Sequence, residues 1–232
     1  MSVRENIPRK EELKQIAIAD LVLTFAFALA LSGGLFGISS TRFILIIPIA
    51  FVAVTLSFVL HELMHKYVAQ HYGAIAAFRT SRMGLIITLG TSLFGFLFGI
   101  PGATVIYTSS FSKRQNGLTS LAGPLTNFAV FAVFFIIYLM VNHATYIGLL
   151  AEFVMFISIL LAFFNMLPIM PLDGAKVLYW NRQVYGASLG AILVLMGIAY
   201  YALFQSIAGL IIEIFFMLFI AVFFSMFYRN VL

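Results

Sequence analysis

Six apolar stretches, each at least about as long as a membrane span, constrain the fold of this chain more than any other feature. A spanning helix needs ~20 mostly apolar residues, and suitable stretches lie at 16–38, 43–72, 118–141, 146–167, 186–204 and 207–228. Only 9% of the residues are charged, against about 25% in an ordinary soluble domain. A water-soluble fold could not hide so much apolar surface, so we expect the bilayer to be the solvent. The predicted fold class is an all-α polytopic membrane protein, with six transmembrane helices in a single domain, 1–232.

A seventh apolar stretch, 83–107, has a suitable length but the wrong composition for a spanning helix. It contains five glycines, Pro101 and several β-branched residues, a mixture that favours strands and turns. Basic residues on both sides place its two ends in the same compartment, namely Arg79, Arg82, Lys113 and Arg114. We therefore predict a membrane-associated β-hairpin or re-entrant segment between the second and third helices. An extended substrate could add to its open edge as a further strand.

The basic residues indicate how the chain is oriented. With six spans both termini lie on one side, and nearly all lysines and arginines then fall on that side, which is cytoplasmic by the positive-inside rule. Arg42 falls outside, and Lys66 lies within the second span, where its side chain can extend to the headgroups. Asp20, near the start of the first span, is expected at the membrane interface. We predict a multi-pass protein of the cell membrane, with both termini and the active-site opening in the cytoplasm.

The net charge of +5 is explained by this topology. The basic residues are scattered singly over loops instead of forming a patch, so no nucleic-acid partner is expected. The chain has no cysteine, which excludes a disulfide framework and a thiolate metal site.

The motif H61-E-L-M-H65 places three ionisable residues deep in the second apolar stretch. Residues four apart on a helix lie on one face, so His61 and His65 can offer both imidazoles to one zinc ion. Glu62 lies beside them, where it can take a proton from a zinc-activated water. Lipid disfavours all three residues. We therefore interpret the motif as the centre of a zinc hydrolase, in preference to two histidines that hydrogen-bond between helices.

A catalytic zinc needs a third protein ligand, and few acids lie within the apolar stretches. Asp173 is the better candidate, because the prolines of N165-M-L-P-I-M-P-L-D173 break the chain after the fourth span and can direct this side chain towards the second helix. Two alternatives stay open. Asp173 could be the N-cap of a short helix at 174–180, and Glu152 could be the ligand instead.

Three motifs together resemble the site-2 protease family of intramembrane zinc metalloproteases (peptidase family M50): HELMH, G123-P-L-T-N127 and N165-MLPIMPLD-G174. The resemblance covers about 43–178, which it makes the catalytic core. It implies that His61, His65 and Asp173 bind zinc and that Glu62 is the general base. It also implies a metalloendopeptidase that cuts a peptide bond within or near a transmembrane helix of a membrane protein substrate.

Two asparagines near the predicted cavity have two interpretations. Asn127 and Asn165 could bind the substrate backbone or a developing oxyanion, or they could hydrogen-bond between helices.

Two other functions are alternatives to a site-2 protease. One is a different membrane zincin with a glutamate as third ligand. The other is a metal-ion transporter, since intramembrane histidines and acids also mark ion paths. Transport does not explain a glutamate directly after the first histidine.

Overall fold

The computed structural model describes residues 9–38, 41–97, 101–108, 110–204 and 208–231. Within these ranges the chain is mostly helical, as predicted, with one small two-stranded sheet. In chain order the elements are α1 (Arg9–Leu31), a 3₁₀ turn (Gly34–Gly37), α2 (Thr41–Val54), a π-helical turn (Thr55–Val59), α3 (Leu60–His71), β1 (Ile75–Thr80), α4 (Arg82–Ser92), β2 (Gly102–Tyr107), α5 (Lys113–Met140), α6 (Tyr146–Asn165), α7 (Asp173–Trp180), α8 (Arg182–Phe204) and α9 (Ala208–Val231).

Five helical segments of the described chain are long and apolar enough to cross a membrane: Arg9–Leu31, Thr41–His71, Lys113–Met140, Tyr146–Asn165 and Arg182–Leu203. They correspond to the first five predicted spans. The sixth predicted span, 207–228, overlaps α9, but residue 207 lies outside the described residues. A sixth crossing therefore stays a prediction.

The first span differs from its predicted limits of 16–38. Helix α1 already begins at Arg9 and ends at Leu31. The chain then turns through Gly33 and Gly34, whose φ angles are 99° and 71°. Only glycine adopts this left-handed region without steric cost, so the pair ends the helix before the predicted limit.

The chain divides into two compact units, Met1–Thr108 and Ser109–Leu232. The prediction of a single domain with a core at 43–178 stays a prediction.

In the first unit, α1 is the element that the others share. Helix α2, strand β1 and helix α4 all contact it. Between α1 and α2 a small apolar core is buried, formed by Ala28, Leu29, Phe43, Ile46 and Ala50. Strands β1 and β2 pair antiparallel over their whole length, from Ile75 opposite Tyr107 to Thr80 opposite Gly102.

The prediction that 83–107 forms a β-hairpin and contains no helix was wrong for its first part, which is helix α4. Ser81 caps this helix by accepting a hydrogen bond from the Gly84 backbone N–H at 3.0 Å, and such a cap contributes about 1 kcal/mol. Gly84, Thr88 and Ser92 form the buried face of α4. These small residues let α4 and α1, which are in contact, approach closely, and this packing outweighs the low helix propensity of glycine.

The sheet is also built differently from the prediction. The partner of β2 is β1, which precedes the apolar stretch, so the two strands are joined through α4 instead of forming a hairpin within 83–107. The connection begins where Thr80 contacts Gln15, early in α1. It extends to Leu93, whose carbonyl accepts a hydrogen bond from the Leu35 N–H at 2.8 Å, beyond the end of α1. The segment after β1 therefore follows α1 to its far end before the chain returns to β2.

In the second unit, α5 packs along α6 and α7, and α8 packs against α6 and α7. The largest side chains fully buried in its core include Phe131, Met155, Ile159, Met166 and Met196. Helices α5 and α7 approach closely at Gly117, where an added Cβ would lie 2.5 Å from the Trp180 side chain. This contact fixes the start of α5 against the helix that begins with Asp173.

Candidate metal centre

The HELMH motif lies in one long helical segment, Thr41–His71, which contains Pro48. The π-helical turn Thr55–Val59 interrupts it just before the motif. A π turn adds one residue to the helical register, and such turns occur often at functional sites. Its position determines which face of α3 carries the two histidines.

His61 and His65 lie one turn apart on the buried face of α3, and their side chains converge. Their Nε2 atoms are 2.9 Å apart, and their ring planes meet at 83°. Two nitrogens bound to one tetrahedral zinc at about 2.0–2.1 Å are about 3.3 Å apart. The pair therefore fits a single ion after a small outward movement. The two residues are only 3% and 7% exposed, so water competes little for their ring nitrogens.

Glu62 is half-buried and contacts the middle of β2. Its Oε2 accepts a hydrogen bond from the Thr104 backbone N–H at 2.6 Å. The Thr104 hydroxyl donates to the Glu62 carbonyl oxygen at 2.9 Å. Thr104 thus holds both the side chain and the backbone of the predicted general base, a contact that no sequence motif indicated.

Lys66 was predicted to extend to the headgroups, and the structure shows it bound to a carboxylate of the protein. Its Nζ lies 2.6 Å from Oε2 of Glu12, in a salt bridge between α3 and α1. The other oxygen of Glu12 accepts the Phe78 N–H from β1 at 3.0 Å. One buried carboxylate therefore joins α1, α3 and β1, and it keeps the helix of the motif next to the sheet.

Asp20 was predicted at the membrane interface, and its depth in the membrane stays a prediction. It is 8% exposed, and its Oδ2 accepts a hydrogen bond from the Thr55 hydroxyl at 2.9 Å. Thr55 begins the π-helical turn. A buried carboxylate needs such a partner, and the bond ties α1 to the turn that precedes the motif.

Asp173 is the first residue of α7 and is buried. Leu172 precedes the helix, and α7 has no side-chain cap, so the alternative of Asp173 as N-cap was wrong. Its Oδ1 lies 3.6 Å from Nζ of Lys176 on the next turn. A carboxylate in the first helical turn is also favoured by the helix dipole.

The loop before Asp173 is anchored by apolar side chains. Met166, Leu167 and Leu172 are all buried in the core of the second unit. A Cβ at Gly174 would overlap the backbone of Met166 and Leu167, so only glycine allows α7 to start against the end of α6. The sequence N165–G174 therefore holds the carboxylate in a defined position instead of leaving it on a mobile loop.

The other predicted residues of the second unit are Asn127, Asn165 and Glu152, and each has a different environment. Asn127 is fully buried in α5, and neither its Oδ1 nor its Nδ2 has a hydrogen-bond partner among the described residues. Asn165 is half-buried and donates to the Leu161 carbonyl of its own helix at 3.0 Å. Glu152 lies on the second turn of α6, roughly 20 Å along the helix from Asn165 at 1.5 Å per residue, and interacts electrostatically with His143 and Tyr138.

The chain is similar to two known proteins. One is Putative zinc metalloprotease MJ0611 of Methanocaldococcus jannaschii, at 43% identity over 162 residues, which is 69% of this chain and 83% of the relative. The other is Putative zinc metalloprotease YwhC of Bacillus subtilis, at 34% identity over 156 residues, which is 57% of this chain and 68% of the relative. No protein-family model matches the chain, and no solved structure matches it.

The chain belongs to this zinc metalloprotease family. Its cofactor is accordingly zinc, and the buried residues His61, His65 and Asp173 are groups that could bind it. The described residues of this zinc metalloprotease include five helices that are long and apolar enough to cross a membrane.

Proposed function

We propose that this zinc metalloprotease is an intramembrane-cleaving protease of the site-2 protease type, which hydrolyses peptide bonds within or near transmembrane segments of membrane protein substrates. The position of the motif carries this proposal. His61, Glu62 and His65 lie in the segment Thr41–His71, and the most apolar 18-residue window of this segment has a mean hydropathy of 2.8, the highest of the five candidate spans. If this segment crosses the bilayer, a catalytic centre on it lies in the same layer as the transmembrane segment of a substrate.

In this proposal His61, His65 and Asp173 hold one zinc ion, and Glu62 is the general base. Two imidazoles and one carboxylate are a usual set of ligands for a catalytic zinc, which keeps a fourth position open. Zinc, when bound, makes water a nucleophile at neutral pH. Glu62 takes a proton from the attacking water and passes it to the departing nitrogen. A C–O bond forms at the carbonyl carbon, the C–N bond breaks, and the products are a carboxylic acid and an amine.

The small sheet is the proposed platform for the substrate. A transmembrane helix bonds its own amides, so it has to unwind before its backbone can be attacked. Once extended, it can add to the edge of a sheet as a further strand. The outer edge of β2 is the suitable one, since its central residue, Thr104, contacts Glu62.

The path of the segment between the strands supports the predicted re-entrant element. It follows α1, itself a candidate span, from Gln15 to beyond its end at Leu31. If α1 crosses the membrane, this segment enters the membrane beside it and returns to the same side. We further propose six spans, with both termini and the active-site opening in the cytoplasm, as the distribution of basic residues indicates.

Asn127 is the better of the two proposed substrate-binding asparagines. A buried amide without partners costs about 1–3 kcal/mol, which a bound peptide group or water would recover. Asn165 already donates one side-chain N–H to the Leu161 carbonyl of its own helix.

The first test replaces Glu62 with glutamine in the full chain, purified in detergent with a transmembrane-helix peptide as substrate. We expect one zinc per chain to be retained and cleavage to fall on the order of 10²–10⁴-fold, the usual contribution of a general base. Glu11→Gln, at an exposed glutamate of α1, is the matched control and should cleave at the wild-type rate. Equal cleavage by Glu62→Gln and wild type would remove the assigned role.

The second test concerns the ligands. Asp173→Ala should lose both zinc and cleavage, whereas Glu152→Gln should keep its zinc. The opposite result would favour a zincin with a glutamate ligand. Removing zinc from the wild type with a chelator should abolish cleavage, and adding zinc should restore it.

A further inference from the structure

The hydrogen bond from Thr104 to Glu62 uses a backbone N–H that takes no part in the pairing of β1 with β2. In an antiparallel pair, residues alternate between those that bond to the partner strand and those whose N–H and C=O point outward. Phe78, opposite Thr104, donates its N–H outward to Glu12 at 3.0 Å. The pair is therefore of the outward-facing kind, and the Thr104 N–H points away from β1, to Oε2 of Glu62 at 2.6 Å.

The same alternation identifies the other outward-facing residues of β2. Gly102 and Ile106 lie two positions on either side of Thr104, so their N–H and C=O groups also face away from β1. A substrate strand added to this edge can bond to those two residues. At Thr104 it meets an N–H that is already bound to a carboxylate, and such charge-assisted bonds are about twice as strong as neutral ones.

We propose that the backbone N–H of Thr104 positions the carboxylate of Glu62, and that this leaves one gap in the substrate-binding edge of β2, opposite which the peptide bond to be cut lies. The proposal rests on the function proposed above and specifies where on the edge the cut is made. Thr104 is a positioning residue, since it acts through Glu62.

The hydrogen bond at Oε2 of Glu62 has a direct consequence for Oε1, the other oxygen of this carboxylate. With Oε2 bound by an N–H, the plane of the carboxylate is restrained, and Oε1 is the oxygen left to take a proton from water. The gap has a complementary effect on the substrate. A substrate carbonyl opposite Thr104 receives no hydrogen bond from the strand, so it can turn towards the two histidines, while its neighbours are held at Gly102 and Ile106.

The kinetic test compares two substitutions of Thr104 in the full chain. Proline removes the N–H, and an edge strand tolerates it because this N–H is not part of the pairing with β1. For Thr104→Pro we expect kcat to fall about 10–100-fold, with KM within about threefold of wild type and zinc content unchanged. Valine keeps the N–H, so Thr104→Val should restore most of the kcat that proline removes.

Ile106→Pro provides the contrast, since it removes an outward N–H that does not contact Glu62. It should raise KM several-fold with a smaller effect on kcat. If Thr104→Pro instead raises KM alone, the N–H serves the substrate and the proposal is wrong. If Thr104→Pro equals a wild type that binds zinc and cleaves, the positioning role fails while the proposed function stands. A wild type without zinc or cleavage would defeat the proposed function itself.

A second measurement does not depend on the folding of a proline variant. The chain has no cysteine, so Ala103→Cys and Val105→Cys each introduce a single thiol at an exposed position beside Thr104. Substrates with one cysteine at successive positions are then disulfide cross-linked to each variant in the Glu62→Gln background. For Ala103→Cys and Val105→Cys we expect the strongest cross-links to substrate positions within one residue of the bond that wild type cuts. For Tyr107→Cys we expect them about two residues further along the substrate. Strongest cross-links from residues 103 and 105 to positions four or more residues from the cut would overturn the assignment.

Discussion

The two strands of the small sheet are equally long and fully paired, but the hydrogen-bond partners of their outer edges differ. On β1, every second residue is bound by a side chain from a neighbouring helix. Glu12 accepts the Phe78 N–H and Gln15 accepts the Thr80 N–H, while Gln70 donates to the carbonyl of Ala76. On β2 the one such contact among the described residues is that between Thr104 and Glu62.

This difference has a physical reason. An open strand edge invites pairing with any other extended chain, so proteins usually cover or charge it. Here the helices α1 and α3 close the edge of β1. The edge of β2 keeps outward-facing groups next to the predicted general base, and this is the edge proposed to receive the substrate. The comparison predicts that changes at the β1 edge act on stability, while changes at the β2 edge act on cleavage.

The largest effect should come from proline at neighbouring positions of β2. Val105 follows Thr104 in β2, so its N–H points to the opposite side and bonds to β1. Val105→Pro should therefore destabilise the unit by about 3 kcal/mol or more. Ile106→Pro spares the pairing with β1, so its thermal unfolding in detergent should stay near wild type while cleavage falls. Equal destabilisation by both prolines would show that the outward and inward faces of β2 are assigned wrongly.

Removing the carboxylate of the β1 edge should have the next largest effect. Glu12→Ala leaves Lys66 without its partner and the Phe78 N–H without an acceptor, at a cost on the order of 3 kcal/mol. Thermal unfolding followed by circular dichroism measures this loss. Glu12→Gln keeps an acceptor for Phe78, so it should lose less. A Glu12→Ala variant as stable as Glu11→Ala would contradict the proposed closure of this edge.

The smallest effects should come from the two glutamines. Gln15→Ala removes the acceptor of the Thr80 N–H, and a lost hydrogen bond of this kind costs about 1 kcal/mol. Gln70→Ala should cost less than about half of that, because Gln70 is exposed and its bond is long, at 3.3 Å. The same unfolding assay ranks the two, and a larger loss for Gln70→Ala would reverse the order of importance along β1.

Local patterns predicted much of the candidate site. The spacing of His61 and His65 predicted a shared face of one helix, and the structure shows their Nε2 atoms 2.9 Å apart. The prolines and Gly174 predicted a break followed by a short helix, which is α7, beginning at Asp173. Both predictions rest on helix periodicity and on the backbone limits of proline and glycine, which act within a few residues.

The features that the sequence did not predict concern residues whose partners lie far away in the chain. Composition favoured strands for 83–92, yet a Ser81 cap and packing on α1 make this segment helical. Lys66 was predicted to seek the headgroups, but a carboxylate 54 positions away binds it. Asp20 accepts a hydrogen bond from Thr55, which lies 35 positions away, and no sequence pattern indicated this partner.

By itself the sequence indicated that the lipid bilayer is the solvent of this protein. It also located the first five apolar helices and the helix that carries the metal-binding motif. These are properties of composition and of spacing within about twenty residues, so no knowledge of distant contacts is needed. Only the tertiary structure decided which strand edge is closed, which stays open, and that the open one bonds to Glu62. Those outcomes depend on which buried N–H and C=O groups find partners, and burial forces that pairing only once the helices and strands have packed together.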